Sequence, residues 1–312
     1  MSQINVQKYS KELQEVLYPE NAFYKNSVTE GGIGPDVTTV NIPLAGQVPA
    51  AGVGNPTLPL AINTRTDNSK TYSVQQVYAG PVLLTVEDEI TLKHSYAKRQ
   101  SIIRQLGNAI NTEVANIAAY EWGALTNIRL TTGSTRASDI TGATGTRKAV
   151  TKADMLSVLS SFKKMNLPAG RIWGLLPYSF VNDLLGIAEF VDYDKTGQLT
   201  KLLTGEIGNI LGMNLMMRHD SVTGSAGVVY NSSSAKVALD SQDRTAALSV
   251  TDSAAAIFWH ESFAVHAEGN ARMNINSDRA EYLGGSIMSA TVRFGAAQMR
   301  SDETGFVTLI ED

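Results

Sequence analysis

Cysteine is absent from the 312 residues. That excludes a disulfide framework, a thiolate nucleophile, a cysteine-ligated zinc and an iron–sulfur cluster. The chain also lacks a strong charge of either sign. Its 26 Lys and Arg against 30 Asp and Glu give a net charge of −4, whereas a dedicated reader of duplex DNA carries a basic stripe. No apolar run approaches the ~18 residues of a membrane-spanning helix. The start, MSQINVQKYSKEL, has no apolar core of a secretory signal. What remains is 43% hydrophobic, too apolar for disorder, and long enough for one elaborate domain or two. The expectation is a soluble protein made in a cytoplasm, with no membrane partner.

Residues 3–18 read as a short, weakly amphipathic helix on Ile4, Val6, Leu13, Val16 and Leu17. From 19 to 60, Pro19, Pro35, Pro43, Pro49, Pro56 and Pro59 exclude long helices, because proline lacks the amide donor and clashes with the preceding turn. Short extended pieces such as Asp36–Ile42 remain possible. The stretch reads as an arm with little core of its own, needing another surface to lie on. Residues 71–92 look β-like, with two extended segments around Gly80-Pro81 that suggest a hairpin or projecting loop. About 94–122 carries the best helical stripe: Ile102, Ile103, Leu106, Ala109, Ile110, Val114, Ile117 and Ala118, stopped by Gly123. Lys98, Arg99, Gln105, Asn108, Asn111 and Glu113 fall on its other face. Thr151 caps a helix over about 152–165, with Asp154 completing an imperfect capping box. Strands are expected at Arg171–Leu176 and Met213–Arg218, a helix at about 178–186, and two long strands at Ile257–Ala267 and Ser286–Gln298.

The search for chemistry comes up empty. Glu87, Asp88 and Glu89 have no nucleophile or metal partner nearby and suit a solvated helix start. His260 and His266 on one strand would stand about 20 Å apart, too far to share a metal. Neither they nor His94 and His219 form a His-x-x-x-His pair. Gly205, Gly208 and Gly212 match no nucleotide-binding spacing. Ser160–Lys163 fits S-x-x-K without its companion motifs. Asn231-Ser232-Ser233 is a glycosylation sequon, without meaning in a protein that is not secreted. No catalytic, cofactor-binding or metal residue is nominated.

From Val86 onward, local patterns and their order are familiar. TVEDEITLKHSYAKRQSIIRQLGNAINTEVANIAA (85–119) resembles the end of the E-loop and the spine helix of tailed-phage major capsid proteins with the HK97-like fold, closest to the short-tailed podovirus type. MNLPAGRIWGLLPYSFVNDLL (165–185) and GEIGNILGMNLMMRHD (205–220) resemble their axial domain. IFWHESFAVHAEGNARMN (257–274) and LGGSIMSATVRFGAAQMR (283–300) resemble the closing strands of the peripheral domain. The resemblance implies an α+β subunit in five stretches: an N-terminal arm (1–55), an E-loop hairpin (56–92), a peripheral domain with the spine helix (93–150), an axial domain (151–245) and peripheral return strands (246–312).

It further implies a non-enzymatic subunit that self-assembles as hexamers and pentamers into an icosahedral head. That head would enclose double-stranded DNA without sequence-specific binding, and would work with a portal protein and a separate scaffolding protein. Only about eighty residues precede the spine region, too few for a cleaved scaffolding segment such as some relatives carry. The expected location is the virion capsid, after synthesis in a bacterial host cytoplasm. Two alternatives stay open: a prophage-derived nanocompartment shell holding cargo enzymes, and a soluble enzyme with dispersed catalytic residues. For subunit contacts, Arg65, Tyr72 and Tyr78 are nominated as exposed interface anchors, with ordinary hairpin packing as the alternative.

Overall fold

The structure is a computed structural model that describes residues 22–34, 37–46, 51–54, 65–85, 98–138, 143–187, 209–218, 229–237, 249–282 and 284–312. In chain order the strands are β1 (Val28–Glu30), β2 (Thr39–Leu44), β3 (Asn68–Ser73), β4 (Gln75–Leu84), β5 (Ile128–Leu130), β6 (Thr135–Ala137), β7 (Thr146–Lys148), β8 (Ile172–Pro177), β9 (Asn209–Ile210), β10 (Met213–Arg218), β11 (Val229–Tyr230), β12 (Ser253–His260), β13 (Ala264–Glu268), β14 (Arg272–Arg279), β15 (Gly285–Gln298) and β16 (Phe306–Ile310). The helices are α1 (Lys98–Trp122), α2 (Lys152–Lys164) and α3 (Tyr178–Leu185).

Two sheets carry the subunit. In the first, the long strand β15 pairs with β4 along one edge and with β13 and β14, end to end, along the other, while β1 adds in parallel outside β13. In the second the order is β5-β16-β12-β8-β10-β9, with β11 also on β12. The helix α1, roughly 37 Å long at 1.5 Å per residue, packs on β4 and β15 of the first sheet and on β12 of the second. Its buried residues Ile102, Leu106, Ile110, Val114, Ile117, Ala118 and Trp122 close one core with Met288, Val292 and Phe294 from the first sheet and Leu175, Ile257, Trp259 and Phe306 from the second.

Successive strand residues point to opposite faces. Leu176, Phe258, Val307 and Leu309 therefore meet α2 and α3 on the far side of the second sheet. Covered on both faces, β12 is buried at all eight positions, which explains its unbroken apolar run. The capping box at Thr151 and Asp154 forms as expected, and Asp154 also accepts from Thr132.

Three expectations change. Gly80-Pro81 makes no turn: β4 runs through it, and the two residues stand opposite the single Ser289 in a β-bulge. On an edge strand the missing proline amide breaks no ladder bond. The hairpin is instead built by β2 and β3, which pair from Thr39↔Ser73 to Leu44↔Asn68, so its first strand comes from the stretch expected to be arm. Ile257–Ala267 is not one strand, because Glu261–Phe263 turn the chain from the second sheet into the first. As a result β12 and β16 pair with the strands around β8 rather than with the peripheral return strands.

Residues 22–30 also differ from a free arm. Phe23 and Tyr24 are buried in the α1 core, and the Trp259 indole donates to the Asn26 carbonyl at 3.0 Å. The expected helix at 3–18 lies outside the described residues.

Candidate assembly surfaces

The β2–β3 hairpin is anchored at its base. At the base, Ile42, Tyr72 and Val74 bury against Val265, Ala267 and Ala297 on the outer face of the first sheet. Ile33 packs against the same cluster, and Arg293 Nη1 donates to the Val37 carbonyl at 3.0 Å. The end of β3 lies close on Gly295, where an added Cβ would lie 2.6 Å from the Ser73 carbonyl oxygen. Toward the tip, the Arg65 Nε meets Asp67 Oδ1 at 2.5 Å, and the same oxygen accepts from the Gly46 amide at 2.7 Å. The Arg65 guanidinium holds the exposed Asp67 carboxyl below its ordinary range.

The three nominated anchors separate. Tyr72 is 8% exposed, packed within its own subunit, with a hydroxyl that is buried and unpartnered among the described residues. Burial, and then the charge of Glu30, push its phenol up to about 12. The premise of an exposed Tyr72 therefore fails, because its ring packs into the cluster at the hairpin base. Tyr78 is 66% exposed on β4, on the face that also shows Leu83. Arg65 is exposed as well. These two are placed where a neighbour can reach them, and Tyr72 is not.

Between the hairpin base, the end of α1 and the end of β15 lies a cavity of about 700 Å³. Lys70 and Lys236 line it, donating to the Arg300 carbonyl at 3.2 Å and the Tyr120 carbonyl at 2.9 Å. Burial lowers both ammonium groups, against the pull of Glu121 and Glu303. Glu303 is the residue that sequence reading missed. With φ of 55° it turns its carboxylate onto the chain leaving α1, accepting from the amides of Leu125 (2.7 Å), Thr126 (2.8 Å) and Asn127 (3.0 Å) and from the Thr126 hydroxyl (2.6 Å). Its only sequence signal is an acid just before Thr304-Gly305.

The groups screened for chemistry do not converge. Among the described residues, no cluster of three or more His, Asp or Glu could hold a metal ion, and no helix is long and apolar enough to cross a membrane. His260 and His266 sit on different sheets. Ser160 and Lys163 lie on the exposed side of α2, and Asn231 Oδ1 caps its own turn by accepting from the Ser233 and Ala235 amides. Glu87–Glu89, His94, His219, Gly205 and Gly208 lie outside the described residues.

No family model matches the chain, and no curated protein sequence does. Solved structures do. The capsid of the cyanophage P-SCSP1u matches with a TM-score of 0.70 at 15% identity, over 98% of this chain and 92% of that one. The chain has the HK97-like capsid fold. A structure from Mycobacterium phage Che8 agrees, at TM-score 0.65 and 15% identity over 99% and 98% of the two chains. So does the head of Helicobacter pylori bacteriophage KHP40, at 0.66 and 12% over 98% and 94%.

Proposed function

We propose that the protein is the major capsid protein of a tailed phage, assembling from hexamers and pentamers into an icosahedral head that encloses double-stranded DNA. One observation carries this reading. A single chain joins a two-sheet body on a long helix to a hairpin with a buried base, and it matches phage capsid structures almost end to end. Such a subunit stabilises a shell by distributed contacts, with no catalytic step. The near-neutral charge suits a container that holds DNA without gluing it down. A portal protein and a separate scaffolding protein are the partners of this assembly, and the local sequence patterns favour the short-tailed subgroup. In this reading the arm spans 1–55, the E-loop 56–92 and the axial domain 151–245, with β2 from the arm paired to β3 of the E-loop.

Electron microscopy of the expressed protein, alone and with the neighbouring phage genes, tests the proposal. Closed icosahedral shells with nuclease-protected DNA are expected from the complete set. Shells filled with cargo protein would assign a nanocompartment instead. Subunits that stay monomeric under all assembly conditions, with no shell in cells, would refute both.

A further inference from the structure

His266 is buried on β13, 2% exposed, and it is the point at which residues 22–30 are tied to the first sheet. Ser27 Oγ lies 2.7 Å from its Nδ1 and Thr29 Oγ1 lies 3.3 Å from its Nε2. The Ser27 hydroxyl already donates to the Tyr24 carbonyl at 2.6 Å, so toward the imidazole it accepts. The neutral ring therefore carries its proton on Nδ1, and Nε2 accepts from Thr29. Both bonds hold the same short segment, which is otherwise fixed by Phe23 and Tyr24 in the core, by the Trp259 indole on the Asn26 carbonyl and by three residues of parallel pairing.

We propose that residues 22–30 form an acid-sensitive latch, in which a second proton on His266 loosens this segment from the first sheet and frees the chain N-terminal to it. The added proton turns Nε2 from acceptor to donor and removes the bond from Thr29. It also places a cation in a site walled by aromatic rings: the edge-on Tyr24 at 5.4 Å and the stacked Phe294 at 6.2 Å. β15 offers the imidazole only Phe294 and Ala296, and β1 offers Thr29. The titratable groups on this face are Tyr24 and, two residues along β13, Glu268, whose carboxylate accepts from the Tyr24 phenol. Glu30 pairs with Ala267 and so points to the other face. Near the same turn the Arg218 guanidinium stands 5.7 Å over the Phe23 ring, which adds like charge. Burial also holds the imidazole below its ordinary range, in keeping with a neutral resting state. The latch is a property of the subunit and does not rest on assembly into a shell.

Hydrogen exchange followed by mass spectrometry, corrected for intrinsic rates, tests it between pH 7.5 and 4.5. In the wild-type chain, protection of residues 22–30 should fall by up to about tenfold per pH unit below the free-imidazole range and level off once the buried His266 itself titrates, while β12 and β16 keep theirs. His266→Gln retains a donor for Ser27 and an acceptor for Thr29 but cannot titrate, so its protection should stay flat. Exchange at the His266 imidazole C2 carbon reports the ring's own titration in the wild type, and its midpoint should fall at or below the pH where the loss levels off, even if the variant fails to fold. Flat protection in the wild type, unchanged pH dependence in His266→Gln, or a ring that titrates before protection begins to fall would each overturn the latch.

Discussion

Glu303→Gln asks how much of the subunit depends on one carboxylate at the exit of α1. The glutamate is 7% exposed and takes three backbone amides and a hydroxyl. Glutamine keeps one acceptor oxygen; turned to the Oε2 position it serves the Thr126 and Asn127 donors and leaves its amide group facing the Leu125 amide. At about 1–3 kcal/mol for a buried donor left unmade, the expected loss is about 1–3 kcal/mol. That is a large share of the ~5–15 kcal/mol stability of a typical domain. Urea unfolding followed by the fluorescence of Trp122 and Trp259, whose rings lie 5.1 Å apart in the α1 core, reads it directly.

The pH dependence supplies a second readout. Burial raises the Glu303 carboxyl, but the bonds from Thr126, Leu125 and Asn127 outweigh it, and the folded-state value lies below that of an ordinary glutamate. The stabilisation is therefore complete above the unfolded-state value and is lost as pH falls through the folded one. The gap between wild type and variant should be widest near pH 7 and shrink below about pH 4. A gap under about 0.5 kcal/mol at pH 7, within the range of ordinary surface substitutions, or one that persists undiminished to pH 3, refutes the reasoning.

Gly107 stands in the middle of α1 with open space where a Cβ would go, so Gly107→Ala should raise the unfolding free energy by about 0.5–1 kcal/mol, measured by urea titration. Gly295→Ala should cost about 1–3 kcal/mol, because its methyl meets the Ser73 carbonyl and Val74 backbone, and proteolysis of the hairpin base should speed up with it. Arg136 pairs with Asp183 at 3.1 Å and with the buried Glu311, so Arg136→Met should cost about 3–5 kcal/mol in thermal or urea unfolding by leaving Glu311 uncompensated. Tyr78→Ser should leave subunit stability within about 0.5 kcal/mol yet reduce the yield of closed shells seen by electron microscopy; unchanged yield would remove Tyr78 from the interface.

Elements with a local cause were legible in the sequence. The stripe from Ile102 to Ala118 predicts α1, although Ala109 proves exposed and Ile103 only half-buried. Thr151 and Asp154 set the start of α2, and Met213–Arg218 forms as read. What failed depended on partners distant in sequence. Gly80-Pro81 looks like a turn until Ser289 arrives opposite it from two hundred residues away. Tyr72 looks like an exposed aromatic until Val265, Ala267 and Ala297 pack with it. The polar-looking stretch around Ser27 and Thr29 gave no hint that His266 would receive both hydroxyls. Glu303 escaped because its function lies in the amides it accepts, and backbone amides leave no trace in a residue pattern.

The two sheets are tied together in a way that limits how the subunit can yield. The chain passes from the second sheet to the first between His260 and Ala264, and back again between Gln298 and Phe306, so β12–β13 and β15–β16 each run through both. The connections lie side by side: the His260 amide donates to the Gly305 carbonyl at 2.9 Å and the Met299 amide to the Phe263 carbonyl at 2.8 Å. The helix α1 buries one continuous face over both sheets, with Trp122 against Trp259 at the crossing. Parting the sheets would expose that face and break the carboxylate clamp of Glu303 together, so neither sheet has a low-cost way to open alone. Two-state unfolding of the body follows. Residues 22–30, tied to the first sheet through His266, are the part proposed to respond separately.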